Sequence, residues 1–384
     1  MTKSNITSGG NDILVNKENF PDDNFREWLL EQDFVQNGVI AKEQIAEITE
    51  INVDYDIIQS LEGIHLFTAL IKLSCAFNQL TSLDISKNTA LTYLDCSSNN
   101  QLTSLDVSKN TALTYLDCGY NQLTTLDISK NTALTYLDCA GNLQLTTLDV
   151  SKNTALTELV CDNNQLTSLD VSNNTALKKL YCWSNQLTIL DVSNNTALTA
   201  LRCSSNPLTA LDVSKNTALQ SLWCRSYQLT NLDVSNNTAL IELICGDNQL
   251  ASLDVSKNTR LNTLWCYNNK IKGANMDALI SRLPNTDGKL NIYDSTSETE
   301  GNVCTKSQVA AIKAKGWTPY YRVDWDWIEY EGADETTGID ATEIGNSSDF
   351  GANAVAYDLN GNRVEDWQSK KGVYIVDGKK VVVK

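Results

Sequence analysis

The chain has 384 residues, 42% of them hydrophobic, and a formal charge of −17 at pH 7. That charge argues against nucleic acid or an anionic membrane as partner, because both recruit clusters of Lys and Arg. No run of about 18 apolar residues reads as a membrane span, and the opening MTKSNITSGGND lacks the apolar core of a secretory signal.

Residues 1–47 read as a helical N-terminal cap. In VNKENFPDDNFREWLLEQDF, Pro21 stands where a helix opens, and Phe25, Trp28 and Leu29 recur at helical spacing. The following DFVQNGVIAKEQ has the outline of an EF-hand loop, with Asp33, Asn37, Gly38 and Ile40 at positions one, five, six and eight. Val35 and Gln44 fill ligand positions three and twelve, and losing the bidentate glutamate removes most calcium affinity. The loop is therefore expected to serve as a turn, and no metal or other cofactor is called for.

Residues 48–271 repeat. Ten cysteines, Cys75, Cys96, Cys118, Cys139, Cys161, Cys182, Cys203, Cys224, Cys245 and Cys266, lie 21 residues apart, with two intervals of 22. The unit is L-x-x-L-x-C-x-x-N-x-L-T-x-L-D-V-S-K/N-N-T-A, whose first eleven positions follow the leucine-rich repeat template with Cys in the third apolar place. One degenerate copy precedes the ten, with Ile48, Ile51, Val53 and Ile58 in its apolar places; Tyr227 alone replaces Asn at the ninth position. The expected fold is a mostly β, α+β leucine-rich repeat solenoid with a parallel sheet on its concave face, capped at both ends.

In each copy a short strand such as Tyr93-Leu94-Asp95 would point Leu94 and Cys96 inward, and strands about 4.8 Å apart would give roughly 50 Å of solenoid. Asn99 and its equivalents should turn inward to satisfy the backbone of the bend. Asn110 suits a turn, and the Asp of each LDVS (Asp84, Asp106, Asp127 and onward) should cap turns on the convex side. Thiols in register at strand spacing exceed disulfide reach. No C-x-x-C pair suggests a metal site, and the one histidine, His65, is far from most of the cysteines. They are expected to be free, buried core atoms.

Outward positions of the strands carry whatever a partner could touch. The early copies give Tyr93, Tyr115 and Tyr136 beside Asp95, Asp117 and Asp138; repeat duplication accounts for these stripes as well as binding does. The later copies break the pattern with Tyr181, Trp183, Arg202, Trp223, Arg225, Trp265 and Tyr267, residue types that dominate binding hot spots. The Asp stripe is expected to be open to solvent with nothing to raise a carboxyl pKa, and no carboxylates face each other across a cleft. No catalytic residue is therefore assigned.

Residues 272–330 read as a C-terminal cap: NMDALISRLP and TKSQVAAIKAKGW as helices on the convex side, KLNIYD as a last strand and TPYYRVDWDWIEY as an aromatic strand. Cys304 is expected to be structural. Residues 331–351 are acidic and aperiodic, a linker, and residues 352–384 form two or three strands with Asn-Gly and Asp-Gly turns.

Over residues 48–271 the LTYLDC…NQLTSLDVSKNTA pattern resembles the internalin J-like, cysteine-ladder leucine-rich repeat surface proteins of bacteria, although no LPXTG anchor motif is present. The tail is similar to the C-terminal sorting modules of Bacteroidetes type IX secreted proteins. The likeness rests on Tyr357-Asp358-Leu359-Asn360-Gly361, Lys371-Gly372-Val373-Tyr374-Ile375 and the stretch from Lys379 to Lys384. A full module is about twice this length, so either the linker supplies the missing strands or the tail is a vestige. These resemblances imply an exported or surface protein of a bacterium, monomeric and non-enzymatic, that binds a protein or glycoprotein through its concave face. The alternative is a carbohydrate-binding protein of a glycan-uptake system.

Overall fold

A computed structural model describes residues 12–323, 326–334, 344–345, 355–357, 363–365, 367–369, 372–376 and 379–383. The chain divides into two units: Met1–Cys304 with Ala310–Tyr330, and Thr305–Val309 with Glu331–Lys384.

The first unit begins with β1 (Ile13–Leu14), paired antiparallel with β2 (Val39–Ile40). Before β2, Asn37 and Gly38 turn the chain at φ 54° and 77°. Between the two strands, α1 (Asp23–Leu30) is capped by Asp22, whose carboxylate accepts from the Phe25 N–H; Pro21 precedes that cap instead of opening the helix. Phe25 and Leu29 are fully buried, while Trp28 is only half-buried. A single helical turn, α2 (Lys42–Ile45), leads into the array.

Eleven three-residue strands then stack in chain order. They are β3 (Glu50–Asn52), β4 (Lys72–Ser74), β5 (Tyr93–Asp95), β6 (Tyr115–Asp117), β7 (Tyr136–Asp138) and β8 (Glu158–Val160). The series continues with β9 (Lys179–Tyr181), β10 (Ala200–Arg202), β11 (Ser221–Trp223), β12 (Glu242–Ile244) and β13 (Thr263–Trp265). Neighbours pair in parallel without a slip of register, so Leu73, Leu94, Leu116 and their successors form one buried column. After α3 (Ala274–Arg282), the longer strands β14 (Gly288–Asp294) and β15 (Trp317–Val323) continue the sheet, with α4 (Lys306–Ala314) between them in sequence. The aromatic segment expected as one strand is two: β16 (Asp326–Glu329) returns antiparallel to β15 and ends the 14-stranded sheet.

Three buried columns explain why the repeat is so invariant. All ten ladder cysteines are free and inaccessible, and burial pushes their thiols well above the ordinary range, which keeps them in the unreactive form. Asn121 shows what the ninth-position amide does: its Nδ2 donates to Cys96 O at 3.0 Å, Cys118 O at 3.0 Å and Gly119 O at 3.2 Å, tying two repeats together where the ladder ends. A second asparagine column lies at the turn before the next strand. There Asn110 is fully buried, and its Nδ2 donates to Ile85 O (3.1 Å) and Asn88 O (2.9 Å) of the preceding repeat. Asn110 thus does both jobs: its backbone N–H closes a turn onto Val107 O at 3.0 Å, as its sequence context suggests, and its side chain bridges to the preceding repeat by giving Ile85 O and Asn88 O a second donor.

At the one place where the ninth-position Asn is missing, the backbone rearranges. The residue before each such Asn normally takes the left-handed conformation, as Ser184 (φ 57°) and Ser205 (φ 54°) do. In the variant repeat Tyr227 itself takes it, at φ 67°, and stands 56% exposed. Ser226 moves into the buried slot, with its hydroxyl 2.7 Å from Asn248 Oδ1 and 3.2 Å from Leu208 O.

In the second unit, β17 (Ile344–Gly345), β18 (Ala356–Tyr357), β19 (Arg363–Val364), β20 (Gly372–Val376) and β21 (Lys379–Val383) form a sheet ordered β17-β21-β20-β18-β19. Ala356, Trp367, Tyr374, Val376 and Val381 make its core. Residues 344–345, read as linker in the sequence, thus supply a strand; 335–343 and 346–351 lie outside the described residues.

Candidate binding face

The strands' outward positions form two columns across the concave sheet, one at the first residue of each strand and one at the third. In the early half, Tyr93, Tyr115 and Tyr136 stack with centroids 4.3 Å apart at each step and interplanar angles of 9° and 1°. Face-to-face stacking occupies the ring faces and leaves edges and hydroxyls for solvent. Lys72 Nζ sits 5.2 Å from the Tyr93 centroid and pairs with Glu50 at 2.7 Å, closing the start of this column.

The neighbouring aspartates correct the expectation of solvent-open carboxylates, and Asp117 and Asp138 correct that of ordinary pKa values. Asp95, Asp117 and Asp138 are half-buried, and each Oδ1 accepts the N–H two residues on, at 3.0 Å from Ser97, 3.0 Å from Gly119 and 2.8 Å from Ala140. Burial, followed by the negative charge of Asp138, pushes the Asp117 carboxyl up to about 7, and burial raises Asp138 as well. Burial against the tyrosine wall is the larger cause, and the repeat adds to it by setting like charges one strand apart. Asp162 belongs to the same group although the sequence did not single it out. It accepts the Trp183 N–H at 2.8 Å, and burial pushes it up to about 7. By contrast, the convex column behaves as its sequence suggests: Asp84, Asp106 and Asp127 accept the N–H of Ser86, Ser108 and Ser129, and those bonds hold each carboxyl below its usual value.

The late half is built from unlike neighbours. The Trp223 indole N–H donates to Glu242 Oε2 at 2.7 Å, which also accepts from Ser221 Oγ at 2.6 Å. Lys179 pairs with Glu158 at 3.0 Å. Arg225 forks onto Asp247, with Nε 2.8 Å from Oδ2, and Asp247 Oδ1 accepts from Asn268 Nδ2 at 2.6 Å. Arg202 differs: its guanidinium lies 4.6 Å from the Tyr181 centroid and 4.0 Å from that of Trp223, clamped between two rings. Its Nε is buried without an acceptor, and no ion pair joins it to a described residue, although its charge reaches the Asp162 carboxyl. Beside the clamp, Trp183 is 37% exposed.

Two of the residues expected on the binding face serve the cap. Tyr267 is 1% exposed and so cannot touch a partner. When β16 folds back it lays Trp327 over Tyr267 (5.4 Å) and Trp265 (5.2 Å), and Gly246 makes room for the tyrosine, since a Cβ there would lie 3.0 Å from Tyr267 Cζ. The sequence reading could not foresee this, because it took β15 and β16 as a single strand. It also passed over exposed aromatics at the strand ends. Tyr55 and Phe77 stack at 4.5 Å, and both rings and Tyr120 are exposed with φ of 53–65°. The left-handed conformation disfavours bulky side chains, so a ring at a position where sister repeats carry Ser, Gly or Asn was the available signal.

Among known families, models of leucine-rich repeats match residues 68–110 and 111–153, and a model of the LVIVD repeat matches residues 182–202. A stretch of 71 residues, 18% of this chain, is 46% identical to Internalin J of Listeria monocytogenes serotype 4b (strain F2365) and spans 8% of that protein's length. The functional domain of InlJ from Listeria monocytogenes, which includes a cysteine ladder, is 32% identical, with 75% of this chain and 82% of that one covered, at a TM-score of 0.44. An internalin (inlF) from Listeria monocytogenes str. 4b F2365 is 21% identical, with 81% and 97% covered and a TM-score of 0.61, a likeness of fold. The repeat models and the stacked parallel strands together establish a leucine-rich repeat solenoid, and its column of buried cysteines is a cysteine ladder. Among the described residues no helix is long and apolar enough to cross a membrane.

Proposed function

We propose that this solenoid is a non-enzymatic binding protein, exported to a bacterial surface, that takes a protein or glycoprotein partner on the late half of its concave sheet. The observation that carries the reading is the Tyr181–Arg202–Trp223 stack beside Trp183: a cation held between two rings with no ion pair, and an indole that is 37% exposed. Rigid aromatic and Arg anchors of this kind supply most of the energy in protein interfaces. Sugar stacking needs open ring faces. The Tyr93–Tyr115–Tyr136 faces are turned on one another, and the Tyr181 and Trp223 rings already cover Arg202, which weighs against a carbohydrate as the main ligand. The raised carboxyls of Asp117 and Asp162 lie on one open sheet two strands apart, and among the described residues no second carboxylate faces them across a cleft as polymer hydrolysis requires.

The test is a Trp183→Ala, Trp223→Ala double variant, compared with the parent in capture of extracellular proteins and on a glycan array. Protein capture lost in the variant supports the reading. Binding that survives in full, or is confined to neutral glycans, overturns it. Export through the C-terminal unit is tested separately, by fusing residues 331–384 to a reporter in a bacterium with type IX secretion. Reporter retained in the cell would refute the sorting role.

A further inference from the structure

We infer that Arg202 is the receptor for a single carboxylate, an Asp or Glu side chain on the surface of the partner protein. The inference rests on the concave-face reading above and specifies its chemistry.

The argument starts from a contrast between two arginines one strand apart. Arg225 makes a fork with Asp247 and is satisfied within the chain. Arg202 stands one strand earlier on the same face, in a chain of charge −17, and no carboxylate of a described residue forms an ion pair with it, Asp162 being near enough only to feel its charge. The nearby acids are otherwise engaged. Glu242 accepts from Trp223 and Ser221, Glu158 pairs with Lys179, and Asp162 accepts the Trp183 N–H. A guanidinium has five N–H donors, and the two flanking rings can offer only π faces, so with Nε buried it is the edge formed by the two Nη groups that stays available.

The clamp also fixes what fits. Stacked between Tyr181 and Trp223, the guanidinium loses little further freedom when a planar, two-oxygen acceptor meets its edge, and such bidentate pairs are the strong charge-assisted ones. The surroundings then choose between sources. A polyanionic glycan would bring many charges against the Asp95–Asp117–Asp138 column, which begins three strands away, or about 15 Å at ordinary strand spacing. A protein surface can set one carboxylate on Arg202 and neutral, apolar or basic groups elsewhere. The exposed Trp183 indole beside the clamp favours an apolar residue next to that carboxylate.

The experiment follows the side-chain ¹⁵N signals of arginine in the full chain, with Arg202 assigned by its loss in Arg202→Lys. The probes are N-acetyl-Leu-Asp-Leu-amide, its Leu-Asn-Leu twin and glucuronate. The expected result is a saturable shift at Arg202 with the Asp peptide, at least fivefold tighter than with the Asn twin. In Arg202→Lys the difference between the twins should collapse, as tested by shifts of the Trp183 indole. Equal binding of the twins, or no shift at Arg202, overturns the inference, and the comparison of the twins' affinities for the parent chain needs no variant to fold. Glucuronate binding tighter than the Asp peptide overturns the protein source. If the twins are equal but Trp183→Ala, Trp223→Ala still abolishes protein capture, the carboxylate receptor fails and the concave-face function stands.

Discussion

The two halves of the concave sheet satisfy their side chains by opposite means. In the early half, nearly identical repeats set like beside like: tyrosine on tyrosine at 4.3 Å, which suits flat rings, and aspartate beside aspartate, which does not suit carboxylates. In the late half the repeats have diverged, and unlike neighbours complete one another, as Arg225 does with Asp247 and Trp223 with Glu242. Strict repetition therefore builds a stable but self-repelling surface, and divergence creates both the pairs that relieve charge and a ring-clamped cation, Arg202, that has no ion pair.

The largest test of that contrast compares two truncations on the same sheet. Arg225→Met strands the Asp247 carboxylate, which is 7% exposed, and should lower the unfolding free energy by about 2–4 kcal/mol. Arg202→Met removes only contacts with two rings and should cost about 1 kcal/mol. Urea denaturation measures both. Equal losses would mean that Arg202 has a hidden structural partner, and the distinction between the two arginines would collapse.

The early half makes a prediction about pH. Between the unfolded carboxyl value near 4 and the folded values near 7, Asp117 and Asp162 keep protons that the unfolded chain has released. Stability should therefore fall as pH rises from about 4 to 7, and level off above that. The convex aspartates act in reverse, because their lowered values make stability fall as pH drops below about 4. Maximum stability is expected near pH 4–5, with a loss by pH 8 of up to about 4 kcal/mol per raised carboxyl. Asp117→Asn should remove a large part of that slope. A stability that rises steadily from pH 5 to pH 8 would show that the early column is fully ionised and unstrained.

The repeat made most of this molecule legible. A 21-residue period with leucines at fixed places dictates parallel strands, register and the inward thiols, because each residue's face follows from its count within the unit. The binding face was legible by column but not by exposure: Tyr181, Trp183, Arg202 and Trp223 lie where the count puts them. Whether a ring is free depends on what folds over it, and Trp327 reaches Tyr267 from some 60 residues away through a hairpin that no period announces. The raised carboxyls were missed for a related reason, since burial is a property of the stack and each copy read alone shows an exposed strand position.

The smallest effect tests repetition itself. Tyr227 is where the array gives up its ninth-position amide, and the chain compensates with Ser226, which has one hydroxyl proton for two acceptors and cannot bridge the Cys203 and Cys224 carbonyls as an Asn would. Tyr227→Asn should restore that bridge, return the left-handed residue to Ser226 and cover no new apolar surface. The changes point the same way: a better-satisfied backbone, a smaller residue at positive φ and one exposed ring fewer. A gain of about 1 kcal/mol is expected, read as a rise in Tm without change in the denaturant slope. A loss instead would mean that the Tyr227 ring makes a contact worth more than the amide it displaced, and that the late half diverged at this position to keep it.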